Sequence, residues 1–254
     1  MHIESRGQGP ALALIHGWAM HGGLFGPLVD RLADRYTLHL IDLPGHGFAR
    51  EDLTPLVPET LAAELVARIP DAAWLGWSLG GQFALRAALD HPHAVRGLIM
   101  VASSPRFVVG EDWTHGVGAQ LFRDFGDALA KDFRGTLEDF LALEALGSAH
   151  AQEELRSLRN QAFERGEPAA RTLLEGLQLL DRLDTRDELP MLRVPSLWLS
   201  GRRDRVVPAG AMPASAALTP NARSVVIANA GHAPFLGAAD EVAREIDAFM
   251  QSLS

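Results

Sequence analysis

The sequence predicts an α/β protein: a mostly parallel central sheet flanked by helices, with a helical segment inserted into it. Short apolar runs that end in glycine or proline alternate with helical patterns over the first hundred residues and again near the end. Residues 106–187 break that alternation, carrying helical spacing and no convincing strand. A Gly-x-Ser-x-Gly turn, Gly76-Trp77-Ser78-Leu79-Gly80, joins one apolar run directly to a helix.

Residues 11–17, Ala-Leu-Ala-Leu-Ile-His-Gly, read as a buried strand followed by a loop through Gly22, and Phe25 to Leu32 has the spacing of an amphipathic helix. Tyr36 to Leu43 is a second strand, closed by Pro44-Gly45-His46-Gly47. Residues 58–69 form a helix that Pro58 and Glu59 open. Ala72 to Leu75 is the strand before the serine turn, Gln82 to Leu89 the helix after it, and Val95 to Ala102 the next strand. In the following stretch Leu137, Phe140, Leu141 and Glu144 share a helical face, as do Leu155, Leu158 and Ala162, and Leu173, Leu177 and Leu180. A stretch of about eighty residues is too long for a loop in a compact domain, so 106–187 is expected to be a helical lid between core segments 1–105 and 188–254. Strands resume at Pro195 to Gly201 and Ser224 to Ala228, and Val242, Ile246 and Phe249 mark a closing helix.

With 254 residues, 47% hydrophobic and 22% charged, the chain can bury one large core. It has no run of eighteen apolar residues to span a membrane, and Met1 to Arg6 lack the regions of a signal peptide. Without cysteine there are neither disulfides nor thiolate metal sites. A net charge of −9 argues against nucleic acid as a partner. A cytoplasmic monomer with no membrane contact is expected.

The serine turn suggests the chemistry. A strand, a tight turn and a helix place the Ser78 hydroxyl above the sheet edge, and Gly76 and Gly80 leave room where strand and helix crowd. A serine nucleophile needs a base, and the base needs an orienting acid. Of the histidines well beyond Ser78, His115 and His150 fall in the helical segment. His232 sits in a Gly-rich loop directly after a strand, where an α/β sheet keeps its ligand chemistry, and is the expected base. Asp204, after the strand ending at Gly201, is the expected acid. A surface ion pair with Arg203 or Arg205 is the competing reading for it, while Asp181, Asp184 and Asp187 read as a solvated helical face. The Leu79 and Trp18 amides are the expected oxyanion donors, each worth about 3 kcal/mol in the transition state. His16 reads as a loop-bonding residue and Asp42 as turn-fixing. His16, His21 and His46 are close only in sequence and show no zinc-type spacing, so neither metal nor other cofactor is expected.

His16-Gly17-Trp18, Asp42-Leu43-Pro44-Gly45-His46-Gly47, Gly76-Trp77-Ser78-Leu79-Gly80-Gly81, Gly201-Arg202-Arg203-Asp204 and Gly231-His232-Ala233-Pro234-Phe235 together resemble the α/β-hydrolase superfamily over nearly the whole chain. With Phe140-Leu141-Ala142-Leu143-Glu144 added, the sequence resembles the family of pimeloyl-carrier methyl ester esterases of biotin synthesis. The resemblance implies a catalytic Ser78, Asp204 and His232, and a partner, the acyl carrier protein bearing a pimeloyl methyl ester. It implies an acyl site lined by Trp18, Ser78, Leu79, His232 and residues Phe140, Leu141, Ala142, Leu143 and Glu144. Family arginines on the lid meet the acidic carrier. Arg156 matches one of these, Gly135, Asp139 and Gln152 stand at others, and Arg134 and Arg159 are nearby substitutes. Residues 106–190 hold ten basic and seventeen acidic side chains, so only a local arginine face would serve a carrier. A general short-chain carboxylesterase or a ring-cleavage-product hydrolase would use the same triad. A non-catalytic hydrolase-fold binding protein would also retain these loops.

Overall fold

The computed structural model describes residues 1–69 and 71–253. Its seven-stranded sheet begins with β1 (His2–Gly7), β2 (Ala11–Ile15), β3 (Thr37–Asp42), β4 (Ala72–Trp77) and β5 (Val95–Val101). Three helices connect them: α1 (Gly26–Leu32), α2 (Pro58–Arg68) and α3 (Gly80–Asp90). Proline begins α2 with the fixed φ and absent N–H that a first turn tolerates. β2 and β4 read as unbroken apolar runs because helices cover both sides of a parallel sheet, and every residue of β4 is buried.

The segment between β5 and β6 holds four helices: α4 (Gln120–Lys131), α5 (Phe133–Ala145), α6 (Ala151–Gln161) and α7 (Ala170–Arg182). Asp132 caps α5, its carboxylate accepting from the Gly135 amide at 2.9 Å. Before α4 the backbone makes only isolated bridges, such as Val108 with Val117. The segment leaves and returns at one point, where the Thr185 amide donates to the Pro105 carbonyl at 3.0 Å. Arg106 bridges Asp184 there at 3.2 Å, so Asp184 is an ion-paired clamp rather than part of a solvated face. The chain closes with β6 (Ser196–Gly201), α8 (Ala211–Ala217), β7 (Ala222–Ile227), a short α9 (Pro234–Gly237) and α10 (Ala239–Ser252), which packs on α1.

The strand order is β1-β3-β2-β4-β5-β6-β7, parallel apart from β1 against β3. Register decides where the loops emerge. Ile15 pairs with Gly76, so the loop after β2 and the serine turn after β4 leave the sheet side by side. Val101 pairs with Leu199 and Gly201 with Ile227, which brings the loops after β6 and β7 out at the same edge. Residues far apart in sequence thus meet above the carboxyl ends of the strands. No helix among the described residues is long and apolar enough to cross a membrane.

Candidate active site

Ser78 takes φ +53°, a left-handed conformation that costs a side-chain-bearing residue strain. The surroundings hold it there. Its amide donates to the Val101 carbonyl at 2.9 Å, and its carbonyl accepts from Ser103 Oγ at 2.7 Å. The turn tolerates no bulk on either side. A Cβ at Gly76 would lie 2.4 Å from Gly81 Cα, and one at Gly80 would lie 2.3 Å from the Ile15 carbonyl oxygen.

The structure brings Ser78, His232 and Asp204 together. His232 Nε2 is 2.9 Å from Ser78 Oγ, and Nδ1 is 2.9 Å from Asp204 Oδ2. The His232 and Asp204 side chains are both fully buried. Asp204 Oδ1 accepts from the Val206 and Val207 amides at 2.7 and 2.9 Å, so its loop wraps the carboxylate and turns it inward. It makes no surface ion pair with its neighbours, and Arg203 reaches Asn229 instead. The His232 loop is fastened twice: its carbonyl accepts from the Trp77 indole at 2.9 Å, and its amide donates to the Glu144 carbonyl at 3.4 Å.

The amides of Trp18 and Leu79 have no backbone acceptor among the described residues. His16 fixes the Trp18 loop: its Nδ1–H donates to the Gly17 carbonyl at 2.7 Å, and its Nε2 accepts from the Leu43 amide at 3.1 Å. That pair of bonds requires the neutral ring. Burial and the neighbouring His46 agree with it, holding the His16 pKa down to about 3. His16 and His46 are close in space as well as in sequence, with ring centroids 4.9 Å apart. Neighbouring β2 and β3 bring their loops together. Asp42 ties this cluster down, accepting from the Gly22 and Phe48 amides at 2.7 and 2.8 Å and from Arg165 at 3.2 Å. Burial alone would raise the Asp42 carboxyl, but the two amides and Arg165 outweigh it and hold it low.

Above Ser78 lies a narrow apolar cavity walled by Trp18, Phe122, Phe125, Phe140, Leu143 and Val206. The Trp18 and Phe140 rings meet edge to face at 4.7 Å. Of the expected acyl-site segment only Phe140 and Leu143 line this space. Leu141 packs into the core and Ala142 faces solvent, because α5 can present only one stripe to the cavity. Glu144 is fully buried beside Asp204 and neither carboxyl oxygen has a hydrogen-bond partner among the described residues, so it contributes no apolar wall. Phe122 and Phe125 from α4 and Val206 from the Asp204 loop were not expected. The three-residue spacing of the two phenylalanines is the signal that would have found them.

The Trp18 indole donates to the Leu173 carbonyl of α7 at 2.8 Å, joining the sheet-edge loop to the helices above it. Trp18→Phe keeps an aromatic ring but drops this bond and part of the indole's buried volume. It is expected to lower stability by about 1–3 kcal/mol, read by urea denaturation. Of the three arginines expected to meet a carrier, Arg134 is paired with Glu167 at 2.5 Å and Arg159 with Glu138 at 2.7 Å. Arg156 is exposed on α6.

A family model described as alpha/beta hydrolase fold matches residues 10–239. The pimeloyl-[acyl-carrier protein] methyl ester esterase of Xanthomonas oryzae pv. oryzae is 58% identical over 253 residues, covering 100% of both chains. The enzyme of the same name from Stenotrophomonas maltophilia (strain K279a) is 58% identical, over 100% of this chain and 98% of the relative. Among solved structures, an esterase from Exiguobacterium antarcticum superposes with a TM-score of 0.86 at 21% identity, covering 98% of this chain and 95% of its own. The enol-lactonase from Burkholderia xenovorans LB400 gives 0.85 at 18% identity, covering 98% and 96%. Identities this low speak to the fold alone.

Proposed function

The chain belongs to the α/β-hydrolase family, and on that premise we propose that it is a serine esterase that cleaves the methyl ester of pimeloyl-[acyl-carrier protein] in biotin synthesis. The hydrogen-bonded line from Ser78 through His232 to Asp204 carries the reaction class. The full-length likeness to esterases named for that substrate carries the specificity.

Ser78 Oγ attacks the ester carbonyl as His232 Nε2 takes its proton. Asp204, already bonded to Nδ1, holds the ring in the tautomer whose Nε2 is free to accept, and stabilises the imidazolium that forms. The Trp18 and Leu79 amides receive the developing oxyanion. His232 returns the proton to the departing methoxide, and methanol leaves. Water, deprotonated by the same ring, then releases the pimeloyl carboxylate from Ser78. The carbon chain next to the reacting ester lies among Trp18, Phe140 and Leu143, an apolar lining suited to methylenes. Residues 106–187 act as the lid over a core made of 1–105 and 188–254. Arg156, with Arg134 and Arg159 once their glutamates are displaced, offers the carrier its cationic contacts.

The purified protein is expected to release methanol from the carrier-bound methyl ester with kcat/KM about tenfold or more above that for a short free methyl ester. Equal rates on the two would sink the carrier reading and favour a general short-chain esterase. The ion-paired state of Arg134 and Arg159 is the observation on that side.

A further inference from the structure

An ester cleaved at Ser78 while its far end stays attached to a protein needs an open path from nucleophile to surface. Phe122 and Leu177 wall the Ser78 cavity, and the same two side chains line a surface groove between α4 and α7. Each is only 6% exposed, so a single layer of side chains separates cavity from groove. The groove itself is unfilled. A Cβ at Gly126 would meet only Leu174 Cδ2, at 3.8 Å, and Leu174 is an exposed leucine with no cover. The groove is polar where the cavity is apolar. Arg123 and Arg182 lie in it beside Asp127, Asp181 and Gln178. Arg123 is held by Gln120 Oε1 at 3.1 Å rather than by a carboxylate.

The chemistry of the two spaces differs as the two parts of a carrier-borne substrate differ. The acyl chain is methylene. The arm that links it to a carrier is a linear thioester bearing amides, which offer donors and acceptors together, and it ends in a phosphodiester that suits an arginine. We propose that this arm leaves the Ser78 cavity between Phe122 and Leu177 and lies in the α4–α7 groove, so that these two side chains decide which esters reach the nucleophile. The inference rests on the carrier-bound substrate proposed above. The two side chains part to admit the arm and close over it.

Gly126→Phe and Gln178→Trp fill the groove from its two walls. Gln178 is exposed and Gly126 has open space around it, so neither change crowds the core, and thermal melts verify that both variants fold. The quantity to read is the ratio of kcat/KM on the pimeloyl-carrier methyl ester to that on methyl butyrate. Each variant is expected to lower this ratio about tenfold or more. Phe122→Ala, which thins the wall, is expected to raise turnover of bulky free esters relative to methyl butyrate. A ratio unchanged in both groove variants overturns the proposal, and so does a ratio that falls only in Arg156→Glu, which would send the arm over α6. A wild-type protein inactive on the carrier-bound ester overturns the substrate reading itself, an outcome distinguished by needing no variant.

Discussion

Ser78→Ala is expected to lower kcat on every ester by a factor of about 10⁴–10⁶ while leaving the thermal midpoint nearly unchanged. The hydroxyl is expendable to the fold. The turn is held through the Ser78 amide and carbonyl, both of which alanine retains, and among the described residues its Oγ bonds only to His232 Nε2. What remains after the substitution is the donor pair and the cavity, which still bind the ester but supply no nucleophile. His232→Ala is expected to cost about as much, and the double variant no more than either single one, because nucleophile and base act as a unit. Asp204→Asn is the more revealing change. An asparagine can keep its oxygen toward the Val206 and Val207 amides, so the loop survives. Its NH₂ then faces His232 Nδ1, a donor against a donor unless the ring takes the other tautomer. That tautomer places the proton on Nε2, where it cannot accept from Ser78, and kcat falls by about 10⁴. The check is single-turnover kinetics with a p-nitrophenyl ester, together with mass spectrometry after a fluorophosphonate probe. A probe adduct on Ser78→Ala, or activity within about tenfold of wild type, would show that the reaction runs elsewhere.

The order of these residues is legible in the sequence because each follows a strand and sits in a Gly-rich loop. Their mutual distances are not, because they depend on strand order. β2 lies between β3 and β4, and β6 beside β5, an arrangement that apolar runs alone do not report. The same strand order makes spatial neighbours of His16 and His46, which spacing reads as unrelated. β1 escapes a reading based on apolar runs because it is an edge strand with no fully buried residue. α4 escapes for a related reason: only Phe122 and Leu129 are buried along its twelve residues, too few to stand out against a polar surface. Arg134 and Arg159 show a third kind of blindness. A sequence displays cations, but the glutamates that occupy them, Glu167 and Glu138, arrive from other parts of the helical segment.

Glu144 is where sequence and structure differ most in chemical consequence, and it carries the second large expected effect. Its position beside the acyl-site phenylalanine suggests contact with substrate, yet its carboxyl is fully buried and unbonded. Burial first, and the charge of Asp204 second, raise its pKa well above the ordinary 4.5. The folded protein therefore keeps Glu144 neutral over a range where the unfolded chain ionises it. Unfolding releases a proton in that range, so the stability this group contributes is complete below about pH 4.5 and is lost as pH rises toward its folded pKa. While the full proton is released, the loss amounts to about 1.4 kcal/mol per pH unit. Glu144→Gln keeps the shape and removes the titration. It is expected to be close to wild type in stability at about pH 5 and more stable by about 1–3 kcal/mol at about pH 8, measured by urea denaturation at both. A difference between variant and wild type that does not change between the two pH values would mean that Glu144 is ionised in the folded protein, with Asp204 and Glu144 sharing a buried double charge.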